Sequence, residues 1–482
     1  MALLILIMTP LIAALASLAV RRTVRPLELI TALAAPGEFA AAVIAAISVF
    51  YEGSYQYGSY LSVDALGIVV LITVALVGFA SSIYSIGYLR REVAKEIIGF
   101  RRVKQYFVLF HLFLMAMFYA VVTVNPILMW IAIEATTLST AFLISFYNKP
   151  TAMEAAWKYL IINSIGLLLG FFGTLLFFVP VSNTAADAFV TWEMLQANAA
   201  GMNPLLVKIA FIFVLIGYGT KAGLAPMHTW LPDAHSKAPS PISALLSGAL
   251  LNCALLAILK FKMITDVVLG IEFAQNLLIF FGIISIAIPA FIIIVQKNYK
   301  RLFAYSSVEH MGIITLGFGF GGVGSFAALL HMIYHSLTKS ILFFSAGNVL
   351  LKYGSTKIAN VKGVLTALPV TGTVLFLAFL AITGVPPFGL FLTEVYILTA
   401  GIASHPLVVI VALLLLALIF VGFLRFIAAM VFGKPADPVE QGEANALTIV
   451  PPVVLLALLI TLSVYLPEPL KIWINAAVAL IH

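Results

Sequence analysis

"GYGTKAGLAPMHTWLPDAHSKAPSPISALLSG", residues 217–248, interrupts a run of apolar sequence with Gly217, Gly219, Gly223 and Pro226 grouped around Lys221. Proline removes a backbone donor and glycine loosens the chain, so carbonyls near Lys221 are left without helical partners. At membrane depth such a discontinuity is tolerated only against protein or a wet cavity. The later stretch "ITGVPPFGLFLTE", residues 382–394, is its counterpart, broken by Gly384, Pro386, Pro387 and Gly389 with Glu394 directly after. Paired interrupted helices in two halves of a chain point to repeated units with the site at the break.

The rest of the chain requires a membrane. Of 482 residues, 63% are hydrophobic and only 9% charged, with a mean hydropathy of +1.14. A soluble domain of this length needs far more charged surface. Apolar runs recur throughout, each long enough to cross a ~30 Å hydrocarbon core. The alternation of a transmembrane barrel is absent, so helices must satisfy the backbone. The expected fold class is an all-α polytopic membrane protein with about fourteen transmembrane helices. The first three lie near 2–20, 27–50 and 62–89. Five follow at 105–123, 126–147, 155–180, 204–228 and 240–263. Five more lie at 275–296, 302–320, 324–351, 367–399 and 405–432, and one at 446–466. The tail 468–482 is too short and mixed to span and reads as interfacial.

Basic residues orient the chain. Arg21, Arg22 and Arg25 follow the first run, and a cluster from Arg90 to Lys104 follows the third. Lys149, then Lys297, Lys300 and Arg301, then Lys352, Lys357 and Lys362 mark later loops of the same parity. Opposite loops hold Glu52 or the acidic stretch 187–193, with Lys260, Lys262 and Lys471 dissenting. The positive-inside rule puts both termini on the outer side of the cell membrane. It also argues against a cleaved signal peptide, whose positive charge precedes the apolar run. The net charge of +7 is this topology signal and no nucleic-acid footprint.

Cys253 is the single cysteine, which excludes a disulfide or a thiolate cluster built from this chain alone. No GxGxxG or Walker-type loop supports nucleotide binding. Energy must come from an ion gradient or a partner subunit, and no cofactor is expected.

Glu134, in "MWIAIEATTLSTAFL" (129–143), lies inside a span, as do Lys221, Lys339 and Glu394. Each costs about 2.5–3.5 kcal/mol at the bilayer centre, roughly 10–14 kcal/mol together if unpaired. A buried ion pair pinning two helices would explain one such residue. Two acids and two bases with histidines between favour an ion pathway. "HMIYHSLTKS" sets His331, His335 and Lys339 at i, i+4 and i+8, on one helical face over ~12 Å. The pattern suits a proton relay. Satisfied core polar residues remain an alternative, and so does a metal or haem site, although a lysine on the stripe would repel a metal. His310, in "SSVEHMG", either extends the relay or simply hydrogen-bonds near a helix start. His111 reads as an ordinary core histidine.

These stretches, with "KRLFAYSSVEHMG", resemble the antiporter-like membrane subunits of respiratory complex I. That family also includes the large subunits of multisubunit Na+/H+ antiporters and of energy-converting hydrogenases. The resemblance covers about residues 60 to 430. "AIEATTLST" and "LLSGALLNC" are most similar to component F of hydrogenase-4-type and formate hydrogenlyase-like complexes. The resemblance implies two inverted five-helix repeats, each with a broken helix, at 105–265 and 274–432. Helices 1–3 (1–104) precede them, and a last helix with its tail (433–482) follows.

It further implies that Glu134 pairs with Lys221, that His331, His335 and Lys339 form a central polar axis, and that Glu394 ends it. Lys158 matches a sixth-helix lysine and Lys237 a residue beside the seventh helix; His228 and His310 are further path candidates. Many relatives carry a lysine or histidine where this chain has Asn252, an amide that orients water but cannot store a proton. The implied function is a proton-translocating subunit coupling a partner's redox chemistry to transport, with no catalytic or metal site of its own. Partners would be other membrane subunits of a complex I-like or hydrogenase complex. A Na+/H+ antiporter subunit, a role in inorganic-carbon uptake and a membrane scaffold are the other readings.

Overall fold

The computed structural model describes residues 1–182, 189–435 and 439–481, and the side chains of all of these but 180–182. Part of the acidic stretch 187–193 therefore lies outside the described residues. Nearly everything described is helical. Among the described residues, eleven helices, from Ala2–Ala19 to Ala446–Val464, are long and apolar enough to cross a membrane.

Two more long helices, Tyr299–Phe320 and Val323–Tyr353, are less apolar. They have no need to be, because almost every residue in both is buried in protein. Ser240–Leu269 is likewise enclosed, whereas only a third of the apolar window of Pro406–Phe432 is buried. Polar residues thus collect on central helices, and peripheral helices present Leu, Ile and Val outward. In lipid that is the arrangement that avoids desolvating a polar group without a partner.

Local sequence explains the helix boundaries. Asn125 caps Pro126–Ile144 by accepting from Leu128 N at 2.9 Å, with proline at the first helical position. Asn203 and Pro204 repeat the device for Pro204–Ala222, as Asn298 does for Tyr299–Phe320. Each is the pairing of a side-chain acceptor with orphan N–H groups that helix starts require.

Close helix crossings are made by small residues. A Cβ on Gly217 would lie 2.2 Å from the backbone nitrogen of Gly170, so the Pro150–Ser182 and Pro204–Ala222 helices meet backbone to backbone. This is the small-residue packing expected where lipid supplies no hydrophobic drive between helices.

Both expected breaks are present. Pro204–Ala222 ends at Gly223, and the chain passes a 3-10 turn, Met227–Thr229, before resuming as Trp230–Lys237. Freed backbone groups find partners: Trp230 Nε1 donates to Thr220 O at 2.9 Å and Ala225 N to Ser285 Oγ at 2.9 Å. The run expected as one span at 367–399 is two helices, Pro369–Ile382 and Gly389–Ile402. There Gly389 N donates to Ser463 Oγ at 2.8 Å. A π-helical segment, Leu246–Leu250, interrupts the helix after the first break.

One element is not helical. Ser54–Tyr57 pairs antiparallel with Leu61–Asp64, a hairpin that the apolar-run reading overlooked. Asp64 then caps Ala65–Ala94 through Gly67 N and accepts from Lys260 Nζ at 2.9 Å. Burial pushes the Asp64 carboxyl up, but Lys260 and the Gly67 N–H outweigh it and hold it below its ordinary value. The tail forms the amphipathic helix Glu468–Ile481, with Ile474, Ala477 and Ile481 buried.

Lysines of three of the basic loops of equal parity meet in one cavity. Lys95, Lys149, Lys237 and Lys300 line one cavity of about 300 Å³ with Glu92, Tyr147 and Thr356.

Candidate functional site

The first break places Lys221, fully buried, opposite the Pro126–Ile144 helix. Its Nζ donates to Thr137 Oγ1 at 2.8 Å and to Tyr159 OH at 2.8 Å. Thr137 Oγ1 lies 3.2 Å from Glu134 Oε2 and donates to it, and Ser164 Oγ donates to Glu134 Oε1 at 2.8 Å. The expected Glu134–Lys221 pair is therefore not a direct ion pair. One helical turn separates Glu134 from Thr137, so the two share a face, and the shorter side chain stands in the gap. Tyr159 OH is also 2.6 Å from Thr140 Oγ1, which fixes the acceptor that Lys221 uses.

Between the two breaks the polar groups are buried but spaced. Asn252 Nδ2 donates to Ser336 Oγ at 2.9 Å, and its Oδ1 has no hydrogen-bond partner among the described residues. Ser247, in the π segment, lies 2.7 Å from Ser307. Such segments are often found at functional sites. His235 is fully buried, stacks on Phe343 at 5.0 Å between ring centroids, and leaves both ring nitrogens unpartnered among the described residues. It sits within electrostatic reach of Lys300 and Lys339. Lys300, itself buried, donates to Ala238 O at 2.7 Å.

The second break receives the other end. Lys339 Nζ donates to Phe303 O at 2.9 Å and to Ser306 Oγ. His335 stacks over His310 at 5.4 Å, again with neither ring nitrogen partnered among the described residues. His310 Nδ1 is 2.8 Å from His331 Nε2, and His310 Nε2 is 2.8 Å from the carbonyl of Ile382, a backbone acceptor freed by the break. His331 Nδ1 is 2.8 Å from Thr393 Oγ1.

Glu394 rests against Gly384: a Cβ there would fall 2.2 Å from Glu394 Oε2. The φ of +63° at Gly384 also favours glycine. His310, His331 and Glu394 each bring a donor atom within 4.8 Å of the others. Lys339, whose charge argued against a metal on the histidine stripe, hydrogen-bonds one to two turns before His310, to Phe303 O and Ser306 Oγ, and stays within electrostatic reach of His310.

Other candidates fall elsewhere. Lys158 is half-exposed and pairs with Glu154 at 2.5 Å, near Asp233, which Arg301 holds at 2.8 Å. That is a rim network, apart from Lys221's partners. Lys237 lines the basic cavity. His228 is buried with its ring edge-on to Tyr305 at 6.3 Å. His111 lies 3.0 Å from Thr31 Oγ1, off the axis.

Sequence reasoning missed Thr137, Tyr159, His235 and Glu309. Thr137 was legible one turn from Glu134, and His235 lies in the opening motif. Glu309, beside His310, is buried within electrostatic reach of Lys339 and Glu394. Nothing in the sequence singled out Tyr159. Glu38 is another buried carboxylate inside a span, and Glu28 pairs with Arg90 at 2.7 Å; neither was counted among the in-span charges.

The same chain pattern recurs in known proteins. Residues 123–420 match the family described as NADH:quinone oxidoreductase/Mrp antiporter, transmembrane. A hydrogenase-4 component F homolog from Methylacidiphilum infernorum is 40% identical over 388 residues, covering 78% of this chain and 80% of that protein. Hydrogenase-4 component B from Escherichia coli is 27% identical over 351 residues, 70% of this chain but 50% of its own length. Among solved structures, a chain of an archaeal membrane-bound sulfane sulfur reductase superposes with a TM-score of 0.87 at 24% identity, covering 99% of this chain and 97% of that one. With more than half of its length matched and a close relative at this identity, the chain belongs to the NADH:quinone oxidoreductase/Mrp antiporter transmembrane family.

Proposed function

We propose that the chain is the proton-translocating membrane subunit of a multisubunit respiratory complex of the hydrogenase-4 or NADH:quinone oxidoreductase type. Redox chemistry belongs to partner subunits, and both termini lie on the outer side. The observation that carries this reading is the file of titratable groups running from one break to the other, buried from Lys221 to His331 and half-buried at Glu134 and Glu394. Glu134 reaches Lys221 through Thr137, and Lys339, His335, His310, His331 and Glu394 continue the file at the second break. Apolar protein surrounds its interior members, so a proton held there has few places to go but along the file. The two broken helices support two five-helix units, each with its own half of the path.

In this mechanism Lys221 is charged while the Glu134 carboxylate is near and communicates through the Thr137 hydroxyl. A partner-driven shift of Glu134 removes that support, and burial then favours the neutral amine. The released proton moves toward Lys339 by way of His235 and Asn252, with water spanning the stretches that side chains do not. The histidines and Glu394 accept it at the second break. Lys158 and Lys237, on the rim and in the basic cavity, serve surface contacts rather than the axis.

The test is transport by the complex in vesicles with its electron donor supplied. Proton uptake that depends on redox turnover and persists without sodium is expected. Exchange of sodium for protons without any redox turnover would instead support the antiporter reading that the family description also contains, and would overturn this one.

A further inference from the structure

In one of the two hydrogen-bond arrangements open to the second break, the neutral rings are one proton short. Ile382 O can only accept, so His310 Nε2 must carry a proton. The single hydroxyl proton of Thr393 goes either to His331 Nδ1, which leaves the neutral rings fully paired, or to Leu390 O at 2.9 Å; the site turns on the second case. His331 Nδ1, 2.8 Å from Thr393 Oγ1, is then the donor to that oxygen. In the neutral rings this strips both remaining nitrogens, His310 Nδ1 and His331 Nε2, which face each other at 2.8 Å. Two lone pairs at that distance need a cation between them, and a carboxylate oxygen of Glu394 stands within 4.8 Å of the pair.

We infer that His310, His331 and Glu394 form a capture site for a divalent cation of the zinc class, which takes the place of the shared proton. Two imidazole nitrogens and one carboxylate oxygen are a donor set that zinc accepts, with metal–ligand distances of about 2.0–2.2 Å and a fourth position left open. The outer contacts are those such a site uses: ligating histidines ordinarily give their other N–H to a carbonyl or hydroxyl oxygen, which fixes the tautomer and the ring. Here the Ile382 carbonyl and the Thr393 hydroxyl occupy those places.

His335 lies against the site without joining its donor set. It is fully buried, stacked on His310, and neither nitrogen has a partner among the described residues. Glu394 is partly exposed beside the break; closing on an ion requires its carboxylate to leave Gly384 and the two imidazole nitrogens to widen from 2.8 Å to the roughly 3.3 Å that two bonds of about 2.0 Å span at a tetrahedral angle.

Capture itself needs only this donor geometry, whereas a block of transport by the captured ion rests on the relay reading. The experiment therefore measures binding. The full-length chain, stripped with a chelator and held in detergent at neutral pH, is titrated with zinc chloride, and the zinc-edge absorption spectrum is recorded. One ion per chain with two imidazole nitrogens in its coordination shell is expected. Glu394→Gln and His331→Gln should each weaken binding on the order of tenfold or more, while His111→Gln, at a buried histidine off the axis, should not. A shell without imidazole in the wild-type chain, or unchanged affinity in a folded Glu394→Gln chain, overturns the proposal. Proton uptake by the same variants without zinc addresses the relay alone, so the two readings fail separately.

Discussion

Lys221 and Glu134 communicate through Thr137, whose hydroxyl accepts from the amine at 2.8 Å and donates to the carboxylate at 3.2 Å. A bridged pair is easier to open than a direct one, because a small rotation of one hydroxyl breaks the connection. Thr137→Val keeps the shape and removes the hydroxyl. It leaves a buried donor unsatisfied at a cost of about 1–3 kcal/mol. Proton uptake into vesicles, at matched abundance of the complex, should fall, and Thr137→Ser should restore most of it. Equal uptake by Thr137→Val and wild type would show that the bridge is incidental.

Glu134→Gln removes the charge; its amide oxygen still accepts from one of Ser164 and Thr137, and its NH2 can donate to the other hydroxyl. The fold should survive, since both contacts are hydrogen bonds. Partner-driven electron transfer slows at most, and proton translocation drops further, so protons moved per electron decrease. A wild-type ratio of protons to electrons in this variant would remove Glu134 from the switch.

The contact of Gly217 with Gly170 predicts a structural lesion of a different kind. Gly217→Ala forces two helix backbones apart next to Lys221, at a cost of about 1–3 kcal/mol typical of overpacking. Thermal unfolding in detergent should shift to lower temperature. Gly201→Ala, where an added Cβ meets nothing within 4 Å, should not shift it. Indistinguishable unfolding curves for the two variants would contradict the packing described.

Asp64 makes a pH prediction. Its carboxyl is held below the ordinary value by Lys260 despite burial, so it binds a proton more readily in the unfolded chain. The resulting stability is present above the unfolded carboxylate value of about 3.9 and is lost as pH falls through the lower folded value. The difference in unfolding temperature between wild type and Asp64→Asn should hold constant from neutral pH down to about pH 4 and close below it. A difference that grows on acidification would reverse the sign.

Much of this architecture was legible because membranes impose a length and a polarity on every helix. Both breaks could be read from Gly223 and Pro226 and from Gly384 and Pro387, since these residues cannot continue a helix that lipid would otherwise demand. Tyr299–Phe320 and Val323–Tyr353 could also be found as helices, but their place at the centre could not. Only packing shows that they never meet lipid. The resemblance implied that Glu134 pairs with Lys221, yet the intervening Thr137 hydroxyl depends on how two helices are rotated, which sequence does not show. Lys158 shows the opposite limit, since a lysine one helix away in sequence logic is turned to Glu154 on the rim. The hairpin at Ser54–Asp64 was hidden because its strands are four residues each and border a long apolar run.

The central claim is that a proton crosses a file of titratable groups, buried along its interior and ending at half-buried Glu394, and Glu394→Gln tests it most directly. The amide keeps nearly the same volume and can still hydrogen-bond, so a chain whose charges merely clamp helices should assemble and work almost normally. A relay loses its last acceptor. Glu394→Lys restores a titratable group and should recover part of the transport, with Lys339 in the same file limiting it by repulsion. The measurement is redox-driven proton uptake into vesicles at matched complex abundance. The account predicts collapse of uptake in Glu394→Gln with assembly intact and partial recovery in Glu394→Lys; uptake by Glu394→Gln equal to wild type would contradict it.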